Sequence, residues 1–178
     1  MNNKAKFSTR MIVSAALLIA LDVVLARFLR FYTPGALDRI SLQFLPNALA
    51  GAMFGPIGGA LICVLGDVVG MLINSDGFSF MPLITLACAA RGLIYGLVFY
   101  KRDVTFPRAL IAVAIVTLVV ELGMMPVFLS VLYGNAWWAT LIGKLPWRII
   151  SIPAFAGVLA AVFRALKSAK VLPRRQKT

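Results

Sequence analysis

The sequence predicts an all-α integral membrane protein, a bundle of six transmembrane helices with both termini cytoplasmic. Hydrophobic residues make up 61% of the 178 residues, charged residues make up only 13%, and the mean hydropathy is +0.94. Ordinary soluble domains are roughly 45–50% apolar. A membrane-spanning helix needs roughly 20 apolar residues, so the chain has room for about six of them and for no separate soluble domain. We therefore expect residues 1–178 to form a single membrane domain.

Six apolar stretches, separated by turn signals, are the predicted helices. They cover residues 11–31, 42–54, 57–73, 82–100, 108–132 and 146–165. Residues that end helices lie between them, including Pro34-Gly35 after the first stretch and Gly55-Pro56 between the second and the third. Asp22 interrupts the first apolar run and no small-residue cleavage site follows it. We therefore expect a retained first helix rather than a secretory signal.

Basic residues orient this bundle. With six helices, three basic groups fall on one side: Lys4, Lys6 and Arg10; Lys101, Arg102 and Arg108; and Arg164, Lys167, Lys170, Arg174, Arg175 and Lys177. The positive-inside rule makes that side cytoplasmic and places both termini there, in a multi-pass protein of the cell membrane. Most of the formal net charge of +12 is explained in this way. The basic tail has no interleaved aromatic residues, so a nucleic-acid partner is not expected.

The composition leaves little material for catalysis. The chain has no histidine, and its two cysteines, Cys63 and Cys88, lie in apolar stretches, so we expect neither a metal site nor a disulfide. No Gly-rich loop ending in Gly-Lys-Ser/Thr is present, so this chain should hold no ATP. A membrane-embedded enzyme would need a set of catalytic residues that converge on one point, and the sequence offers no such set. A small channel would expose a polar stripe along one helix, which none of the six stretches has.

Five cations lie on the opposite side from the three basic groups, and aromatic residues are mixed with them. The cations are Arg27, Arg30, Arg39, Lys144 and Arg148, and the aromatic residues are Phe28, Phe31, Tyr32, Phe44, Phe78, Phe80, Tyr133, Trp137 and Trp138. One interpretation is an interfacial aromatic belt with snorkelling arginines. The other is a site for a flat, anionic ligand that arrives from outside, with cations for its carboxylates or phosphates and aromatic rings for stacking.

Asp67 and Arg91 are charged residues inside two neighbouring predicted helices. A rise of 1.5 Å per residue puts them about 10 Å and about 13 Å from the outer ends of their helices. They either form an ion pair that lets both charges exist in the bilayer, or reach into a pocket, with Glu121 as a deeper or alternative partner. A buried carboxylate is also a suitable acceptor for the adjacent N–H donors of a 2-aminopyrimidinone ring.

Ala16 and Ala20 are small residues on the first predicted helix. They are four positions apart and so share one face, which allows a second helix to approach closely.

Together these features resemble the substrate-binding S component of an energy-coupling factor (ECF) vitamin transporter. The likeness comprises the Ala-xxx-Ala pair, a short second helix that opens with Phe44-Leu45-Pro46, and six predicted helices in under 200 residues. Four motifs are similar to the folate-specific branch: Ile40-Ser41-Leu42-Gln43-Phe44-Leu45-Pro46, Gly55-Pro56-Ile57-Gly58-Gly59, Gly66-Asp67-Val68-Val69-Gly70 and Gly92-Leu93-Ile94-Tyr95-Gly96. S components for pantothenate or cobalamin share parts of this pattern.

The resemblance implies a binding subunit and not an enzyme. It implies that the chain binds folate at the extracellular side and docks through Ala16 and Ala20 onto a transmembrane coupling subunit. Two cytoplasmic partner subunits would supply ATP hydrolysis with Mg, and lipid would surround the chain. The pterin edge would meet Asp67 or Glu121. The candidate ligand-binding residues are Arg27, Arg30, Tyr32, Phe44, Asp67, Phe78, Arg91, Glu121, Trp138, Lys144 and Arg148.

Overall fold

The structure, a computed structural model, describes residues 9–28, 30–32, 39–73, 82–134 and 137–168. The helices are α1 (Thr9–Arg27), α2 (Phe44–Ile73), α3 (Pro82–Phe99), α4 (Phe106–Val116), α5 (Met125–Tyr133) and α6 (Trp137–Ser168), and a π-helical segment (Thr117–Met124) joins α4 to α5. Four continuous helical stretches are long and apolar enough to cross a membrane: Phe44–Ile73, Pro82–Phe99, Phe106–Val131 and Leu141–Ser168. The predicted all-helical membrane architecture is confirmed, whereas these four stretches do not establish the count of six transmembrane helices.

A short β-hairpin follows α1, where the sequence predicted that the first helix continues to residue 31. Strands β1 (Arg30–Tyr32) and β2 (Arg39–Ser41) pair antiparallel, with Arg30 opposite Ser41 and Tyr32 opposite Arg39. The helix ends at Arg27 because the following backbone groups pair with a second strand instead of continuing the helical ladder. This hairpin leads directly from the end of α1 to the start of α2.

Helix α2 contains residues 44–54 of the predicted stretch 42–54 and all of the stretch 57–73, as two arms that meet at Gly55. Gly55 has φ 80° and ψ −174°, a left-handed conformation that suits a residue without Cβ. The Sγ of Cys63 lies 3.2 Å from Oδ1 of Asn47, although 16 residues of straight helix would separate the two by about 24 Å. The two arms therefore fold back and lie side by side.

Four glycines, Gly51, Gly59, Gly92 and Gly96, bring this folded helix against α3 with its backbone in contact. A Cβ added to Gly51 would lie 2.5 Å from the amide nitrogen of Gly96, and one added to Gly92 would lie 2.5 Å from the carbonyl oxygen of Gly59. A Cβ on Gly96 would overlap the backbone of Pro56. We call these four residues the glycine seam. Gly59, Gly92 and Gly96 belong to motifs that carried the resemblance in the sequence. These glycines serve helix packing, because small residues permit such close approach.

Aromatic rings fill the core that joins α2, α3 and α6. Phe44 stacks on Phe155 with ring centroids 4.3 Å apart. Phe99 lies between Tyr95 and Phe163, at 5.7 Å and 5.6 Å. The predicted ligand-binding residue Phe44 is thus packed within the hydrophobic core.

Helix α6 begins nine residues earlier than the predicted start at residue 146 (146 − 137 = 9). The predicted first residue, Pro146, lies inside α6, as does Pro153. Because the helix starts at Trp137, Lys144 and Arg148 lie on one face a single turn apart. The loops predicted to face outward near Asp38, Asp76 and Asn135 lie outside the described residues.

Candidate functional site

Asp67, on the second arm of α2, is buried and has two partners. The hydroxyl of Thr85 donates a hydrogen bond of 2.8 Å to its Oδ2, and the guanidinium of Arg27 lies 4.0 Å from its Oδ1. The pairing of Asp67 with Arg91 that the sequence suggested is wrong. The expected pair rested on similar depth along two helices, but depth along a helix does not fix the direction in which a side chain points.

Glu121 is the partner of Arg91 instead. Its two carboxylate oxygens each meet a different arginine, Arg91 at 2.8 Å and Arg148 at 2.9 Å. Glu121 lies in the π-helical segment, so this group joins α3, the π segment and α6. π-helical segments of this kind are rare and are found frequently at functional sites. Lys144 is buried one turn before Arg148 and lies within electrostatic range of Glu121.

Asp22 on α1 is the most deeply buried acid in the described part of the chain, with 1% of its surface exposed. The side-chain amide of Gln43 donates a hydrogen bond of 3.3 Å to its Oδ2. Gly66 makes room for it, because a Cβ at that position would overlap the Asp22 carboxylate. Asp22 also lies within electrostatic range of Arg27, Asp67 and Arg91.

Asn47, on the first arm of α2, is as buried as Asp22. Its Oδ1 accepts a hydrogen bond from the Cys63 thiol. The sequence interpretation did not name Asp22, Gln43 or Asn47 among the candidate ligand-binding residues. Asp22 could have been recognised from the sequence as an ionisable residue in an apolar helix. Such a residue costs free energy in a membrane and is therefore a candidate for a functional role.

Among the described residues of this region, buried cations outnumber buried acids. Seven buried or nearly buried ionisable residues form what we call the charged cluster: Asp22, Arg27, Asp67, Arg91, Glu121, Lys144 and Arg148. At their ordinary charges these are four cations and three anions. Guanidinium and ammonium groups bind carboxylates through charge-assisted hydrogen bonds, so these side chains suit an anionic ligand.

Of the predicted ligand-binding residues not yet placed, the structure describes the side chain of Trp138 alone. Trp138 is 59% exposed and stacks on Trp137 at 3.7 Å. Arg30 and Tyr32 lie on β1, and their side chains are not among those that the structure describes. Phe78 lies outside the described residues as well.

Ala16 and Ala20 lie on an exposed face of α1 and border an apolar groove. The groove has a volume of about 440 Å³ and lies between α1 and the end of α2. Its other lining residues are Ile19, Val23, Val24, Phe28, Val69 and Ile73. The predicted face of small residues is therefore accessible in the structure.

Comparison with known proteins gives consistent matches over most of the chain. A family model described as ECF transporter, substrate-specific component, matches residues 10–163. The folate transporter FolT of Clostridium novyi is 33% identical over 157 residues, which are 88% of this chain and 90% of that protein. FolT of Leuconostoc mesenteroides is 31% identical over 148 residues, 82% of this chain and 77% of that protein.

A solved structure shares the fold as well. The crystal structure of FolT bound with folic acid superimposes with a TM-score of 0.81 and 30% sequence identity, and the match covers 89% of this chain and 95% of that one.

Proposed function

Because the chain belongs to the family of substrate-specific components of ECF transporters, we propose that it binds folate and delivers it across the cell membrane as the substrate-binding subunit of such a transporter. The relatives are named folate transporters, and the similar solved structure holds folic acid. The observation in this chain that supports the proposal is the charged cluster, in which four cations lie buried or nearly buried within the helices: Arg27, Arg91, Lys144 and Arg148. Such cations are suitable partners for the carboxylates of folate.

The carboxylates of the ligand meet the α6 end of the cluster in this proposal. Lys144 and Arg148 are buried one turn apart, and one carboxylate, that of Glu121, lies between Arg148 and Arg91. Arg27 supplies a further cation on α1, held beside Asp67. Arg30, Tyr32 and Phe78 stay candidates for ligand contact.

Titration of the purified chain with folic acid tests the proposal, with pantothenate and cobalamin as competitors. We expect folic acid to bind and neither competitor to displace it. Displacement by pantothenate or cobalamin would assign the chain to another vitamin, and the absence of folic acid binding would overturn the proposal. Mass spectrometry of small molecules that co-purify with the chain provides an independent measurement.

The proposed topology has six membrane crossings within one domain, because the two arms of α2 fold back and each crosses once. The ion pair of 3.0 Å between Asp103 and Lys167 supports it, since it brings the loop after α3 beside the end of α6. Both termini would then be cytoplasmic. Cysteines introduced at Asp38, Asp76 and Asn135 should react with an impermeant thiol reagent in intact cells, and labelling only after lysis would overturn this topology.

Ala16 and Ala20 form the proposed docking surface for the transmembrane coupling subunit, which works with two ATPase subunits that use ATP and Mg. Their exposure and the groove beside them support this role. Ala16→Trp should abolish uptake and leave folic acid binding to the isolated chain intact, because the added ring blocks close helix approach. Leu17→Trp is the matched control, since Leu17 is exposed on the adjacent face. Equal loss of uptake in both variants would contradict the docking role.

A further inference from the structure

Three buried polar atoms, one each on α1, α2 and α3, have no hydrogen-bond partner among the described residues. They are Oδ1 of Asp22, Nδ2 of Asn47 and Nε of Arg91. Asp22 and Asn47 each have only 1% of their surface exposed. Leaving such groups without a partner costs free energy, so native structures keep few of them, and those that persist need an explanation.

The first two of these residues are joined by a continuous chain of contacts. Gln43 holds Oδ2 of Asp22, and the backbone N–H of Asn47 donates to the carbonyl oxygen of Gln43 at 3.4 Å. The Cys63 thiol donates a hydrogen bond to Oδ1 of Asn47. Each side chain therefore has one polar atom fixed by a neighbour and one left over, an acceptor on Asp22 and a donor on Asn47.

The other two acids of the charged cluster lack this spare capacity. Asp67 is held by Thr85 on one oxygen and faces Arg27 with the other. Glu121 has an arginine on each oxygen. The sequence suggested that Asp67 or Glu121 meets the ring edge, but in the structure these two acids hold cations in place.

We infer that Asp22 and Asn47 form the subsite for the heterocycle of the ligand, with Asp22 accepting its N–H donors and Asn47 donating to its carbonyl oxygen. This rests on the proposed function. A 2-amino-4-oxopyrimidine edge presents adjacent N–H donors followed by a carbonyl oxygen, which matches the spare acceptor and the spare donor. Gln43 is a positioning residue, because it fixes the second oxygen of Asp22 and does not itself have to touch the ring.

The ligand is thus divided between two regions of the site. The ring lies against α1 and the first arm of α2, and the carboxylates lie against α6. Specificity for the ring is assigned to the first region, because an analogue that lacks one donor or acceptor would leave a buried polar group unpaired.

The test combines Asp22→Asn with a change in the ligand. The wild-type chain and the variant are each titrated with folic acid and with the analogue that has a methyl group in place of the 2-amino group. We expect the wild type to prefer folic acid by about ten- to a hundredfold, the range for a hydrogen bond to a charged group. Asp22→Asn should reduce that preference to about onefold, because the variant loses the partner of the missing donor. Asp103→Asn, at an exposed acid, is the matched control and should keep the full preference.

The outcomes separate this inference from the proposed function. A wild-type chain that binds no folic acid refutes the function. A wild-type chain that binds folic acid, together with an Asp22→Asn variant that keeps the full preference, refutes the subsite alone. A loss of thermal stability with an unchanged preference would likewise make Asp22 a packing residue.

A second variant keeps the inference testable if Asp22→Asn does not fold. Asn47→Ala is titrated with folic acid and with aminopterin, in which an amino group replaces the 4-oxo group. The wild type should prefer folic acid, since the Asn47 amide would face an amino group in aminopterin and Asp22 would lose the N3–H donor. Asn47→Ala should reduce that preference and leave the part that depends on Asp22. An unchanged preference in the variant would overturn the assignment of Asn47 as the donor to the ring carbonyl.

Discussion

The glycine seam and the charged cluster connect helices by opposite means. In the seam, α2 and α3 approach so closely that backbone touches backbone, as at Gly51 against Gly96. In the charged cluster, long side chains from α1, α2, α3, the π segment and α6 meet instead, as at Glu121 between Arg91 and Arg148. The seam admits no added atom, whereas the cluster contains polar atoms that the described residues do not satisfy. The seam therefore depends on close backbone packing, and the cluster supplies the polar groups of the proposed binding region.

The largest effect is expected from Glu121→Gln in the charged cluster. The substitution leaves Arg91 and Arg148 buried without their anion and should lower the free energy of unfolding by about 3–5 kcal/mol. Denaturation in detergent measures this loss. Adding Arg148→Gln should recover part of the stability, because it removes one of the uncompensated charges. A stable single variant would show that another group balances these arginines.

Gly96→Ala tests the seam. The new Cβ would overlap the backbone of Pro56, which cannot move as a flexible side chain can, so we expect a loss of about 1–3 kcal/mol in the free energy of unfolding. Gly157→Ala is the matched control, because a Cβ on that helical glycine meets nothing within 4 Å. The same thermal unfolding measurement serves both variants, and equal stability of the two would show that the seam tolerates side chains.

The Asp67→Asn substitution tests whether the pair of Asp67 and Arg27 contributes to ligand binding or only to helix packing. Arg27 would lose the carboxylate that faces it, and folic acid affinity should fall by about tenfold, which corresponds to about 1.4 kcal/mol. Combining it with Arg27→Gln should restore stability and leave affinity low. Recovery of both properties in the double variant would make this pair a contact between helices and nothing more.

The smallest effect is expected at the exposed ion pair of Asp103 and Lys167. Both side chains are more than 70% exposed, and such surface pairs contribute about 0–1 kcal/mol. Asp103→Ala should therefore change the unfolding midpoint little, in contrast to Glu121→Gln. A loss as large as that of Glu121→Gln would mean that position within the bundle, and not burial, decides the value of an ion pair.

The sequence by itself determined the membrane class, most helix bounds and the turn at Gly55-Pro56. These follow from local properties, because apolar run length, proline and glycine act within a few residues of their own position. It also identified Arg27, Asp67, Arg91, Glu121, Lys144 and Arg148 as charges that an apolar environment must accommodate. The sequence did not predict the π segment or the β-hairpin, because both depend on backbone hydrogen bonding that no local sequence pattern indicates.

Tertiary structure alone decided which charges meet. The pairing of Asp67 with Arg27 and the position of Glu121 between two arginines depend on the rotation of each helix about its axis, and one residue of rotation turns a side chain by about 100°. Tertiary structure also joined Asp22 to Gln43 across 21 positions of sequence. Residue type shows that a buried charge must find a partner, but only the packed helices determine which partner it finds.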